Sequence, residues 1–200
     1  MKIISGIHKG YRLPSPKSSE TRPTQEKVRA QIFNICQGEV EEAIVLDIFA
    51  GSGSLGFEAI SRGAKSCTFI EKDRRQAELI SQVISEWHAD AEVLVLDARR
   101  GIEFLKKRVE KGAPRFTLCL SDPPYSQTTP QNMKLVVETL IALDEANILA
   151  NNCRVFVEDS LKSEIDTLEL THLKLENARR SGSTCLREFR FIETPQSPLP

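Results

Sequence analysis

The chain has 200 residues, 40% of them hydrophobic, and its 27 basic residues nearly balance 28 acidic ones. That length suits one globular domain with a small appendage, and no apolar run approaches the roughly 20 residues a membrane helix needs. Met1 to Gly6 lacks the apolar core of a secretion signal, and Cys36, Cys67, Cys119, Cys153 and Cys185 stand singly, so a reducing cytoplasmic compartment with neither disulfides nor a metal is expected.

In chain order, Lys2 to Ile7 and Tyr11 to Leu13 read as two short strands around the turn His8-Lys-Gly10. Pro14 and Pro16 break the pattern, and Thr24 is placed to cap a helix running to about Gln37. Val28, Ile32, Ile35 and Cys36 recur on its apolar face, and Gly38 is the expected stop. A hairpin and one helix cannot bury a core of their own. Residues 1–40 are therefore read as an extension packed on a main domain of residues 41–194, with 195–200 as a frayed tail. Charge marks the same region: residues 1–29 carry seven basic against two acidic side chains, a net +5 that leaves −6 on the rest. Such an arm suits a polyanion.

From Ile44 onward strands and helices alternate. Strands are predicted at Ile44 to Phe49, Ser66 to Glu71, Glu92 to Leu96, Phe116 to Ser121 and Cys153 to Glu158. Between them lie helices from about Ser54 to Arg62, Asp73 to His88, Gly101 to Glu110 and Gln131 to Leu143. Leu168 to Glu176 and Thr184 to Glu193 carry strand residues with too short a link for a crossover helix, so they form an antiparallel hairpin. The fold expected is α/β: a doubly wound, mostly parallel sheet of seven strands with a C-terminal hairpin.

The chemistry collects at strand ends, because open sheets of this kind bind ligands beyond their carboxyl edge. Gly51, Gly53 and Gly56 fit G-x-G-x-x-G, whose default meaning is a dinucleotide site. Asp47 tells against that default, since a buried strand-end carboxylate needs a hydrogen-bond donor or a cation. An acid followed by glycines suits S-adenosylmethionine, whose aminoacyl group is positive. Glu71 ends the second strand, where it can take both ribose hydroxyls, and Asp97 with Ala98 follows the third, placed to hold the adenine amine. The fourth strand runs into Asp122-Pro123-Pro124-Tyr125. Two prolines stiffen the chain and remove two donors, leaving fixed carbonyl acceptors. Asp122 and one such carbonyl can accept both hydrogens of an exocyclic amine while Tyr125 stacks on its ring.

Asp47-Ile-Phe-Ala-Gly-Ser-Gly53 with Asp122-Pro-Pro-Tyr125 resembles the class I S-adenosylmethionine-dependent amino-methyltransferases. Arg22-Pro-Thr24, Lys27-Val-Arg29 and Ile32-Phe-Asn34, after Ile3-Ile-Ser-Gly6 and Gly10-Tyr-Arg-Leu-Pro14, are similar to the bacterial 16S ribosomal RNA guanine-N2 methyltransferases. The likeness covers nearly the whole chain. It implies cofactor contacts from Asp47, Phe49, Ala50, Gly51 and Gly53, from Glu71 and Lys72, and from Asp97, Ala98 and Asp122. Asp122 to Tyr125 would be catalytic. The substrate would be 16S ribosomal RNA or a small-subunit assembly particle, met by a monomer through Arg22 and Arg29 of the arm and Arg179 and Arg180 of the hairpin turn. Three other readings stand beside it. An N6-adenine DNA methyltransferase shares the core motifs but usually needs a target-recognition region. A nicotinamide oxidoreductase leaves Asp122 to Tyr125 unexplained, and a non-catalytic RNA-binding module leaves the strand-end acids without a role.

Overall fold

The structure, a computed structural model, describes residues 1–14, 23–123, 130–161, 165, 168–181 and 184–193. Its elements in order are α1 (Pro23–Ile35), β1 (Ile44–Ile48), α2 (Ser54–Ser61), β2 (Ser66–Ile70), α3 (Arg74–Trp87), β3 (Ala91–Leu94), α4 (Ala98–Glu110), β4 (Phe116–Ser121), α5 (Pro130–Glu145), β5 (Leu149–Ser160), β6 (Leu173–Ser181) and β7 (Thr184–Phe191). The strands form one sheet in the order β3-β2-β1-β4-β5-β7-β6. β1 to β5 run parallel, while β7 is antiparallel to both β5 and β6. The order reverses direction between β1 and β4, and that gap at the carboxyl edge is where a ligand crevice opens.

Each sheet face carries its own apolar layer. Val45, Phe69, Leu118, Leu120 and Phe156 point toward α1, α2 and α3, and Ile3, Leu13, Val28, Ile32 and Phe33 of the N-terminal segment join that layer. Leu46, Ile48, Cys119, Val155 and Val157 point the other way, onto Ile102 and Leu105 of α4 and Val136, Leu140 and Leu143 of α5. All five cysteines are buried thiols. Among the described residues no helix is long and apolar enough to cross a membrane. The helix starts follow local chemistry: Asp73 accepts from the N–H groups of Arg75 and Gln76, and Asp97 accepts from that of Arg100.

Several expected bounds change, with β5 running from Leu149 to Ser160 rather than Cys153 to Glu158 and β6 starting at Leu173 rather than Leu168. The first two strands reduce to a single bridge, Lys2 to Arg12, where Ile3 donates to Tyr11 and Leu13 to Met1, because the donors after Ile3 turn to α2. Ile4 and Ser5 donate to the Glu58 carboxylate, and Ile7 donates to the Ser61 carbonyl. α1 begins at Pro23, so Thr24 lies inside its first turn, and it ends at Ile35 rather than near Gly38. β6 runs on to Ser181, which makes Arg179 and Arg180 strand residues paired with Leu186 and Cys185 rather than part of a turn.

Candidate active site

The carboxyl ends of β1 and β2 are tied together by two acids. Asp47, 1% exposed, accepts from the Gly56 N–H at 2.9 Å and so anchors the first turn of α2 to β1. Glu71 bridges further: one oxygen accepts from Gly51 N–H and the other from Asp73 N–H, both at 2.7 Å. The turn it holds packs closely on the core at Gly53 and Gly56 and is open only at Gly51, where a Cβ would meet nothing nearer than the Phe49 carbonyl at 3.9 Å. Gly53 has φ +73, a conformation that disfavours side chains, and a Cβ at Gly56 would come within 2.3 Å of the Phe69 ring. Phe49 is also held left-handed, at φ 62, which costs on the order of 1–3 kcal/mol in a non-glycine residue. Ala50 closes the turn by donating to the Ile70 carbonyl and accepting from Gly53. Lys72 is exposed beside it. Asp97 caps α4, with its side chain also 3.5 Å from the Arg100 guanidinium, and Ala98 is buried under the cap.

β4 and β5 add a second acidic element. Ser121 is in register with Ile48 of β1 and with Val157 of β5, so Asp122 and Glu158 follow at one level on adjacent strands. Parallel neighbours at one level share a sheet face. Leu120 and Phe156 fall in the α1–α3 layer, and two-residue alternation puts Asp122 and Glu158 on that face with Asp47. Asp122 donates its backbone N–H to the Ile48 carbonyl at 3.4 Å, and Pro123 is buried behind it. Burial raises the Asp122 carboxyl well above the usual range, helped by the charges of Glu158 and Asp47. Burial likewise pushes Asp47 up to about 7, against the Gly56 bond that lowers it. Glu158, 6% exposed, is raised by burial and opposed by a hydrogen bond from Thr184. Three carboxyls therefore crowd one face of three neighbouring strands. Such a row is costly alone and is relieved by a cationic or hydrogen-donating ligand.

These distances frame the comparisons. The family described as conserved hypothetical protein 95 matches residues 1–190. The ribosomal RNA small subunit methyltransferase D of Escherichia coli strain K12 is 34% identical over 191 residues, covering 95% of this chain and 89% of that protein. The chain belongs to the ribosomal RNA small subunit methyltransferase D family. The solved structure of yhhF from Escherichia coli superposes with a TM-score of 0.77 at 27% identity, covering 97% of this chain and 99% of that one. A more distant neighbour, SMU.776, was solved complexed with SAH; at 16% identity and a TM-score of 0.59, over 85% of this chain and 50% of its own, the likeness is one of fold. The seven-stranded sheet is thus a class I methyltransferase fold.

In this methyltransferase D family member the acids Asp47, Glu71 and Asp122 and the glycine turn converge at the switch point. Glu158 joins them from inside β5, which runs on to Ser160, whereas the strand-end reading covers four strands only. Arg29 does not reach an RNA-facing surface. It is 1% exposed, 3.7 Å from Glu58, and donates to the Lys2 carbonyl at 2.6 Å, so its charge is consumed in holding the N-terminal segment. Arg179 pairs with the buried Glu188 at 3.1 Å, while Arg180 is exposed. Arg22, Pro124 and Tyr125 lie outside the described residues.

Proposed function

We propose that this protein methylates the exocyclic N2 amine of a guanine in small-subunit ribosomal RNA with S-adenosylmethionine as donor. The observation that carries the reading is the carboxyl row Asp47, Asp122 and Glu158 at the carboxyl edge of β1, β4 and β5, beside the glycine turn. The acids suit the cofactor by charge: Asp47 would attract a positive aminoacyl group, Glu71 would accept from a pair of hydroxyls, and Asp97 with Ala98 would hold the adenine edge. When bound, S-adenosylmethionine supplies an electrophilic methyl on a cationic sulfur.

Asp122 and a carbonyl of the proline motif accept the hydrogens of the target amine and draw its nitrogen toward the tetrahedral geometry from which it can attack. A cation beside Asp122 favours its ionised form, and as positive charge grows on that nitrogen the carboxylate stabilises it more strongly than in the ground state. In this proposal Tyr125, after Pro123 and Pro124, stacks on the base that has left its helix. The small-subunit RNA named for the relatives is the proposed substrate. Residues 1–40 serve as its RNA-facing extension through Arg22 and the exposed Lys9, Arg12 and Lys27, and residues 41–194 carry the chemistry.

Methyl transfer from tritiated S-adenosylmethionine to purified small-subunit RNA and to assembled subunits tests the reading. N2-methylguanosine in the digested product is the expected result, and N6-methyladenosine or no transfer to either would overturn it. Glu71→Gln is expected to weaken S-adenosylhomocysteine binding by roughly 1.5–3 kcal/mol, the loss of charge-assisted bonds, as read by calorimetry. Arg180→Ala should lower the logarithmic salt slope of RNA binding by about 0.7, one phosphate contact. Titrations of RNA binding at several salt concentrations measure it, and an unchanged slope would move the contact away from β6.

A further inference from the structure

The carboxyl row extends past the residue needed to hold an amine. On the proposed reading Asp122 accepts from the target nitrogen, which leaves Glu158 one strand further along the same face without a part in the reaction. Its side chain is nearly enclosed and is oriented by the Thr184 hydroxyl at the start of β7. Neighbouring strands lie about 4.8 Å apart, so two carboxyls on one level present a pair of acceptors side by side. Guanine is the base whose edge offers a matching pair of donors, N1–H next to the N2 amine. Adenine presents an acceptor at N1, which would face a carboxylate lone pair across a repulsive contact.

We infer that Glu158 is a specificity-determining residue that accepts the N1–H of the target guanine while Asp122 accepts from its N2 amine. The inference rests on the guanine-N2 reading and deepens it, giving the base preference a residue. It also assigns Thr184 as a positioning residue, holding Glu158 at the level of Asp122. A site built to hydrogen-bond one group rejects an analogue that cannot make the bond, because the buried partner is then left unpaired.

The test uses small-subunit RNA carrying either guanine or 2-aminopurine at the methylated position. 2-Aminopurine keeps the N2 amine but has an acceptor at N1. The wild-type protein should methylate guanine and discriminate against 2-aminopurine in kcat/KM. Glu158→Gln keeps the size of the side chain and can turn an N–H toward N1. It should lose on the order of tenfold to hundredfold with guanine and narrow or reverse the ratio between the two bases. S-adenosylhomocysteine affinity should be unchanged, showing an intact fold. Thr184→Val, which removes only the orienting hydroxyl, should move the ratio in the same direction and covers the case in which Glu158→Gln does not fold. A wild-type protein that makes N2-methylguanosine while both variants keep the wild-type ratio would overturn the role of Glu158 and leave the reaction standing. A wild-type protein making no N2-methylguanosine would overturn the reaction and this inference with it.

Discussion

Asp122→Ala is expected to lower methyl transfer by about 10²–10³-fold, the usual loss when a group aimed at developing charge is removed. Asp122→Asn keeps an acceptor without the charge and should fall between that variant and the wild type. S-adenosylhomocysteine should bind both variants nearly as before, because the contacts at Asp47, Glu71 and the glycine turn are untouched. Single-turnover rates with saturating RNA, beside calorimetry of the cofactor product, separate the two effects. Near-wild-type turnover by Asp122→Ala would remove the amine clamp from the mechanism.

Stability gives an independent reading of the same residue. Burial and the neighbouring charges of Glu158 and Asp47 raise the folded-state pKa of Asp122, whereas an unfolded aspartate titrates near 3.9. Between those two values the folded protein holds a proton that the unfolded chain has released. Folding stability therefore falls as pH rises through that window. Asparagine has no such proton to lose. The melting temperature of Asp122→Asn should decline less between about pH 5 and about pH 8 than that of the wild type, even as activity falls. A less active variant with a flatter stability profile is the signature of a carboxylate kept for its chemistry.

How much of this was legible in the sequence depends on what kind of fact was asked for. The strand ends at Asp47, Glu71 and Asp122 could be read because buried parallel strands are short apolar runs, and the first polar residue after each run marks the sheet edge. Glu158 lies inside β5, which continues to Ser160, and its place beside Asp122 depends on the order β1-β4-β5 and on the pairing of Ser121 with Val157, which no local pattern contains. Charge was the weakest guide. The arm's net +5 counts Arg29 as an exposed cation, yet it is buried against the Lys2 carbonyl and its counter-ion sits 29 residues away on α2. Arg179 was likewise counted as a free charge in a turn. The strand instead continues to Ser181 and pairs it with Glu188, because nothing before Gly182 breaks the β pattern.

Glu58→Ala is expected to destabilise the protein by about 3–5 kcal/mol, the range found when one partner of a buried ion pair is removed. Glu58 is fully buried in α2 and serves several elements at once. Its oxygens accept from Ile4 N–H at 2.8 Å, Ser5 N–H at 3.0 Å and Arg62 Nε at 2.8 Å, with Arg29 Nε 3.7 Å away. Truncation leaves the Arg29 cation without its counter-charge, in a site where its Nε and Nη1 already lack hydrogen-bond partners. Burial lowers the Arg29 pKa and the Glu58 charge opposes that shift, so the guanidinium would lose its principal electrostatic support. The two effects can be told apart by a second substitution. Arg29→Met fills similar volume without charge, and adding it to Glu58→Ala should restore part of the loss by removing the stranded cation. The remainder belongs to the orphaned Ile4 and Ser5 donors, at roughly 1–3 kcal/mol for each buried group left unsatisfied. Urea unfolding of the wild type, both single variants and the double variant closes the cycle. A strongly favourable coupling energy is expected for groups this close, and simple additivity would mean that Arg29 and Glu58 act independently. The same helix begins at the glycine turn anchored by Asp47, so the cycle also measures how firmly the N-terminal segment is fastened to the element that shapes the site.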